Sequence, residues 1–360
     1  MSAAMIDGRH RSIRHPFCLS SLLSRLWEAL LLLLIALFVL FLFTFYVPQP
    51  LFGPHSPSHM VTIPKGMSVR SIGHLLKDEG VILSVPYFVM AARLWGHEGT
   101  LQAGRYSFRG KNSIVSVLRQ LTRGEVRYER VTIPEGLTLR EAAQRLQTEA
   151  AVDSETFVRL ATDTAFVRSL GIGAETLEGY LFPNTYAVHW GMDARDVIVT
   201  MVDVFKNMCG ERCETRAEEL GFSLHDVLTL ASIIEREVMV PEERPIISAV
   251  FHNRLKLGRA LESCATVEYA LGFHKQRLSE DDLNVQSPYN TYLHNGLPPG
   301  PICSPGAASI EAALSPADVD YLYFVSEGNG RHIFSRSLEE HTRAKRRVKR
   351  ALQGVSEGRP

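Results

Sequence analysis

No charge of either sign prevails in this sequence. Its 360 residues hold 39 Lys plus Arg against 39 Asp plus Glu, a formal charge of zero. Without a basic field there is nothing to hold a polyanion, which excludes nucleic acid as an expected partner and favours a neutral one. The motifs of cofactor and nucleophile chemistry are missing as well: HExxH, GxSxG, a Walker loop, and GxGxxG followed by an acidic residue. No cofactor and no metal is therefore expected. Cysteine is scarce, at five residues, and CGERC (Cys209 and Cys213) is too sparse a pattern for zinc.

One long apolar run is present. Residues 29–47, ALLLLLIALFVLFLFTFYV, are broken only by Thr44 and are long enough to cross a bilayer as a helix. No small-residue cleavage site follows in TFYVPQPLFG, so the span is expected to stay as an anchor. Arg9, Arg11, Arg14 and Arg25 precede it and Lys65 is the first Lys or Arg after it, which predicts a cytoplasmic N-terminus and an extracytoplasmic remainder. Cys18 then faces a reducing compartment. Cys209, Cys213, Cys264 and Cys303 lie on the other side, either as disulfides or as buried thiols.

The rest has an ordinary globular composition, 45% hydrophobic and 22% charged overall. It divides into a cytoplasmic tail (1–28), the span (29–47), a Pro-rich linker (48–59), a small α+β module (60–125), a larger region (126–352) and a tail (353–360). One pattern occurs twice: VTIPKGMSVRSIGHLL begins at Val61 and VTIPEGLTLREAAQRL at Val131. Each copy reads as a β-branched strand, a Pro-x-Gly turn, a Ser or Thr cap and a helix. Between them, Ser84 and Pro86 open a further helix and LQAGRYSF reads as a strand. Helical patterns dominate from 153 to 258. A Gly- and Pro-rich stretch, the strand DYLYFVSE and a charged helix follow, and in that helix KRRVKR (345–350) reads as a solvated face.

The stretch LTLASIIEREVMV, residues 228–240, is predicted to be helical, with Ser223 as cap and Asp226 three residues on. At about 100° per residue, Glu237 falls within roughly 20° of Leu230 and between Ile233 and Ile234. A carboxylate therefore sits inside the apolar stripe, whereas Glu235 falls about 140° away on an expected solvent face. The bland reading of Glu237 is an ion pair at a core edge, with Arg254 or Arg244. The functional reading is a desolvated carboxyl kept protonated, which suits a general acid for a glycosidic oxygen. Two further stretches mix aromatic rings with polar groups in the way that sugars require: EGYLFPNTY (Glu178, Tyr180, Asn184, Tyr186) and SPYNTY (Tyr289, Asn290, Thr291, Tyr292). His225, His252 and His294 are scattered and read as surface or packing residues.

In order along the chain, LEGYLFPNTY, LASIIEREV, VFHNRLKLG, SPYNTYLHNGLPPGPICSPG and YLYFV followed by HIFS and EH resemble the YceG-like endolytic murein transglycosylase family. The resemblance covers nearly the whole chain. It implies an α+β fold with a single N-terminal transmembrane helix, a LysM-like module over 60–125 and a mixed α+β catalytic domain over 126–352. It also implies a single-pass protein of the cytoplasmic membrane that cuts peptidoglycan strands beside penicillin-binding proteins and terminates nascent strands. By resemblance Glu237 is the catalytic acid, and Asn253, Arg254 and Thr266 join the substrate contacts. The chain departs from the family at Val238 and Asn184, where Thr and Asp are usual. LESCATV replaces a common LQSDPTV, so Glu262, Cys264 and Ala265 stand for Gln, Asp and Pro. Glu262 is thus a candidate second carboxylate, and a Cys264–Cys303 disulfide is expected to fix the altered loop. Two readings from other classes are a glycan-binding scaffold and, from an old family label, a pyridoxal-phosphate lyase. The second conflicts with an extracytoplasmic domain.

Overall fold

A computed structural model of the protein describes residues 19–46, 59–108, 112–275 and 278–357. Cys18, Arg9, Arg11, Arg14 and the linker over 48–58 lie outside the described residues. Two compact units are present, Met1–Val126 and Arg127–Pro360.

In the first unit, helix α1 (Leu19–Tyr46) carries the apolar run. Its large side chains from Leu30 to Leu40 are exposed around the whole helix, among them Leu32, Ile35 and Phe38. Among the described residues no helix is long and apolar enough to cross a membrane; the described side chains of α1 are those of 24–40 and Phe43. Strand β1 (His59–Ile63), helices α2 (Val69–Asp78) and α3 (Val85–Leu94), strand β2 (Gly104–Phe108) and helix α4 (Ile114–Arg123) follow. The strands pair antiparallel with Val61 opposite Tyr106. Their inward side chains meet Leu76, Phe88 and Leu121 in a small core. Ser68 caps α2 by accepting from the Ser71 amide, which satisfies one of the donors left open by a helix start.

The second unit opens with strand β3 (Tyr128–Ile133), helices α5 (Leu139–Ala150), α6 (Ser154–Ala161) and α7 (Thr164–Ser169), and strand β4 (Asn184–His189). β3 and β4 pair antiparallel, Val131 opposite Tyr186. β4 lies where helical patterns were expected; Tyr186 and Val188 alternate inward, the period of a half-buried strand. Next come α8 (Ala194–Glu219), α9 (Leu224–Glu237), a 3₁₀ turn at Pro241–Glu243, α10 (Arg244–Lys256), α11 (Cys264–Leu271), α12 (Glu280–Leu283) and α13 (Ala307–Leu314). A hairpin of β5 (Tyr323–Ser326) and β6 (His332–Ser335) and helix α14 (Leu338–Glu357) complete the unit. Within α8, Cys209 and Cys213 form a disulfide where Gly210 leaves helical geometry at φ 42°.

Helix α9 is the centre of this unit. Ser223 and Asp226 form the expected capping box at its start. Every residue from Val227 to Ile234 is buried, Thr229 and Ser232 included. A helix covered on all sides has no solvent face, and this changes the environment of Glu235. Its carboxylate accepts from the Gly306 amide at the start of α13 (3.0 Å) and lies 4.0 Å from Arg244, with a side chain only 10% exposed. The expectation that Glu235 is solvated is therefore corrected: α13 and the turn after β3 cover the face that the helical wheel left open.

Candidate active site

Glu237 is the last residue of α9. A helix C-terminus carries partial negative charge, so this position disfavours a carboxylate and favours the neutral acid. Burial acts in the same direction and raises the Glu237 carboxyl above its usual range, with the charge of Glu268 adding to it. The Ser263 hydroxyl, the Ala265 amide and His332 oppose the rise. Ser263 Oγ donates to Glu237 Oε1 at 2.5 Å. Neither Arg254 nor Arg244 pairs with this acid: Arg254 binds Glu262 at 2.9 Å, and Arg244 faces Glu235. Among the described residues Glu237 has no ion pair, so the bland reading of a core-edge salt bridge does not hold.

Ser263 is held from three sides. Its amide donates to Thr291 Oγ1 (3.0 Å), its carbonyl accepts from Thr266 Oγ1 (2.8 Å), and the two threonine hydroxyls are 2.8 Å apart. Thr266 and Thr291 thus position the acid's partner by joining LESCATV to SPYNTY. Asn290 is fully buried and gives its amide to the Leu283 and Val285 carbonyls, which shapes the same loop. Tyr292 Oη lies 3.2 Å from Cys264 Sγ and feels the charge of Glu237.

A cavity of about 550 Å³ is lined by Ala265, Glu268 and Arg236 among others; Glu237 is not part of the lining and is linked to it through Ala265, whose amide bonds the acid. Glu178 also lines this cavity. It is 8% exposed and accepts from the Leu139 amide (2.9 Å) and the Tyr269 hydroxyl (3.4 Å). Burial pushes its carboxyl up to about 7. Tyr269 in turn packs on Tyr289, ring centroids 4.8 Å apart, so the two aromatic motifs meet through a residue outside both. Gly179, at φ 83°, lies so close to Pro301 that any Cβ would collide, which explains a glycine after Glu178.

Other sequence candidates serve the scaffold. Tyr180 is buried and bonds His225, whose ring also reaches the Pro299 carbonyl at 2.9 Å. Tyr186 is a core residue of β4 bonded to the Phe182 carbonyl, and Asn184 starts the same strand, exposed, outside the cavity lining. Asn253 gives its amide to the Val319 and Tyr321 carbonyls, and Arg254 clamps the Leu322, Ala260 and Leu261 carbonyls. Glu262, at φ 52°, is committed to Arg254. The expected Cys264–Cys303 bridge is absent: both thiols are free, Cys264 exposed against Tyr292 and Cys303 buried and donating to the Ser232 carbonyl at 3.4 Å. The loops approach the same helix from different sides, and the disulfide in this unit is Cys209–Cys213. Ser263, Glu268 and Tyr269 were not anticipated. Ser263 lay in a quoted motif with nothing to separate it from other hydroxyls, and the other two carry no local signal.

Residues 61–347 match the YceG-like family. An endolytic murein transglycosylase of Bacillus subtilis (strain 168) is 35% identical over 303 residues, 79% of this chain and 83% of that protein. One of Streptococcus pneumoniae serotype 2 (strain D39 / NCTC 7466) is 33% identical over 316 residues, and the matched part spans 57% of that relative's length. A crystal structure of a putative yceG-like protein from Listeria monocytogenes superposes with a TM-score of 0.56 at 33% identity, over 79% of this chain and 98% of that one.

Proposed function

Since this chain belongs to the YceG-like family, we propose that it is a peptidoglycan lytic transglycosylase with Glu237 as its acid. The observation that carries this reading is a half-buried carboxyl with a raised affinity for its proton and no ion pair among the described residues, bonded by Ser263 and linked through the Ala265 amide to a cavity that Glu178, Glu268 and Tyr269 also line. Glu237 gives its proton to the oxygen joining N-acetylmuramic acid C1 to N-acetylglucosamine, and the C1–O bond breaks. The muramic 6-hydroxyl then bonds to C1 and returns its proton to Glu237, which leaves a 1,6-anhydro end and a regenerated acid. A second carboxylate to activate water, as in most glycosidases, is not required. Glu262 is already bound by Arg254, and Glu268 by His274 (2.9 Å) and Arg236 (3.5 Å).

In the same reading α1 anchors the chain in the cytoplasmic membrane. Its exposed apolar surface on every side suits lipid, and the arginines before it orient the N-terminus inward. The first unit acts as a LysM-like glycan-binding module, and the second cuts nascent strands and ends their elongation alongside penicillin-binding proteins. Incubation of purified peptidoglycan with the full chain tests the reading: soluble glycan fragments are expected. Binding to the polymer without release of any fragment would make the chain a scaffold instead.

A further inference from the structure

The cavity linked to Glu237 through Ala265 holds more charge than a neutral sugar needs. Glu268 on its wall is taken by His274 and Arg236, and Glu141 by the Thr138 amide (2.8 Å) and hydroxyl (2.9 Å). Arg140 also lines the cavity, is exposed, and has among the described residues no hydrogen bond or ion pair. It shares this lining with Glu178 and Tyr269. It stands in the first turn of α5, where a cation opposes the helix dipole, and a bound anion would relieve that cost. Glu178 does not pair with it: its two oxygens are taken by the Leu139 amide and the Tyr269 hydroxyl. The cavity therefore offers one guanidinium without a protein partner among the described residues, beside carboxylates already bonded by other groups.

Glu237 does not itself line the cavity, but Ala265, whose amide bonds Glu237, and Arg236, next to it in sequence, both do, so the cavity lies one residue away from the acid. The muramic residue that supplies C1 also bears, on its O3, a lactyl amide continuing into a peptide with free carboxylates. Resting on the transglycosylase reading, we propose that this cavity is a subsite for the stem peptide of the muramic residue at the cleaved bond. Arg140 pairs a carboxylate of that peptide.

The test compares kcat/KM of the full chain on peptide-bearing strands and on strands stripped of peptide by an amidase. Wild type is expected to favour the peptide-bearing polymer by about tenfold or more, the scale of a lost charge-assisted hydrogen bond. Arg140→Gln is expected to bring that ratio close to one. Equal cleavage of both polymers by wild type, or an unchanged ratio in the variant, overturns the subsite. A second measurement is independent of turnover: calorimetric binding of a soluble muramyl tripeptide to Glu237→Gln, and to the same variant carrying Arg140→Gln. Binding that weakens about tenfold in the double variant supports the subsite; no binding, or equal binding, overturns it. Tripeptide binding by a chain that cuts neither polymer would sink the transglycosylase reading and leave the subsite standing.

Discussion

The chain writes strand, turn and helix twice, at 61–76 and 131–146, and the two copies fold alike but are used differently. Val61 and Ile63 are buried in one strand, Val131 and Ile133 in the other. Gly66 and Gly136 sit at φ 82° and 81°, and Ser68 and Thr138 cap the helices that follow. The first turn has open space around Gly66 among the described residues. The second is built into the candidate site: the Gly136 amide donates to the Ser304 carbonyl (2.9 Å), its carbonyl accepts from Arg236 (3.3 Å), and the Leu139 amide donates to Glu178. Local sequence sets the shape of both copies. What each copy does depends on what the rest of its unit brings to it.

The largest effect expected from this contrast lies at the acid that the second copy helps to surround. Glu237→Gln should keep the fold and lower cleavage of peptidoglycan by about 10²–10⁴-fold, since the amide fills the space but has no acidic proton to give. Glu235→Gln should cost far less rate, because that carboxylate holds the start of α13. Wild-type turnover in the Glu237 variant would break the assignment.

A smaller effect separates the copies by pH. Glu178 binds its proton more tightly in the native state, with its carboxyl raised to about 7, than in the unfolded chain. Its contribution is therefore most favourable below the unfolded carboxylate range and is lost as pH rises to about 7. Glu178→Gln should remove that loss, so wild type and variant should diverge by about 1–3 kcal/mol between pH 5 and pH 8. Parallel stability curves from urea melts at the two pH values would show that the buried carboxyl does not titrate there. In the first copy no carboxyl is found on the matching Val69 amide among the described residues.

The smallest effect is the sharpest comparison. Ser68→Ala and Thr138→Ala remove equivalent caps, and each should destabilise its own unit by about 1 kcal/mol in thermal melts. Thr138 also lines the cavity. Its variant should slow peptidoglycan cleavage roughly 2- to 5-fold, the rate equivalent of about 0.5–1 kcal/mol, while Ser68→Ala leaves the rate alone. Equal slowing by both would mean that the cap acts through stability only.

Much of this was legible in sequence for one reason: periodicity and capping are local. The α9 box at Ser223 and Asp226, the place of Glu237 among Leu230, Ile233 and Ile234, and both repeat copies follow from residues a few positions apart. What failed was non-local. Glu235 is covered by an element about 70 residues away, and β4 exists because it pairs with β3 more than 50 residues earlier. Tyr186 and Val188 alternate over too short a stretch to mark a strand among helical neighbours. Cys303 turns into α9 rather than toward Cys264, and no spacing rule contains that choice. Asn253 and Arg254 were candidates by resemblance, and a motif does not reveal that their side chains bond main-chain carbonyls.

A single acid whose substrate supplies the nucleophile leaves its mark directly in the chemical form of the product. Wild-type protein should be incubated with purified peptidoglycan in the absence of any other lytic enzyme, and the new muramic ends weighed by mass spectrometry. Ends lighter by one water, carrying the 1,6-anhydro ring, are the predicted result. Predominantly reducing ends would contradict it: water would then be the nucleophile, and Glu268 or Glu262 would have to leave its cation to activate it.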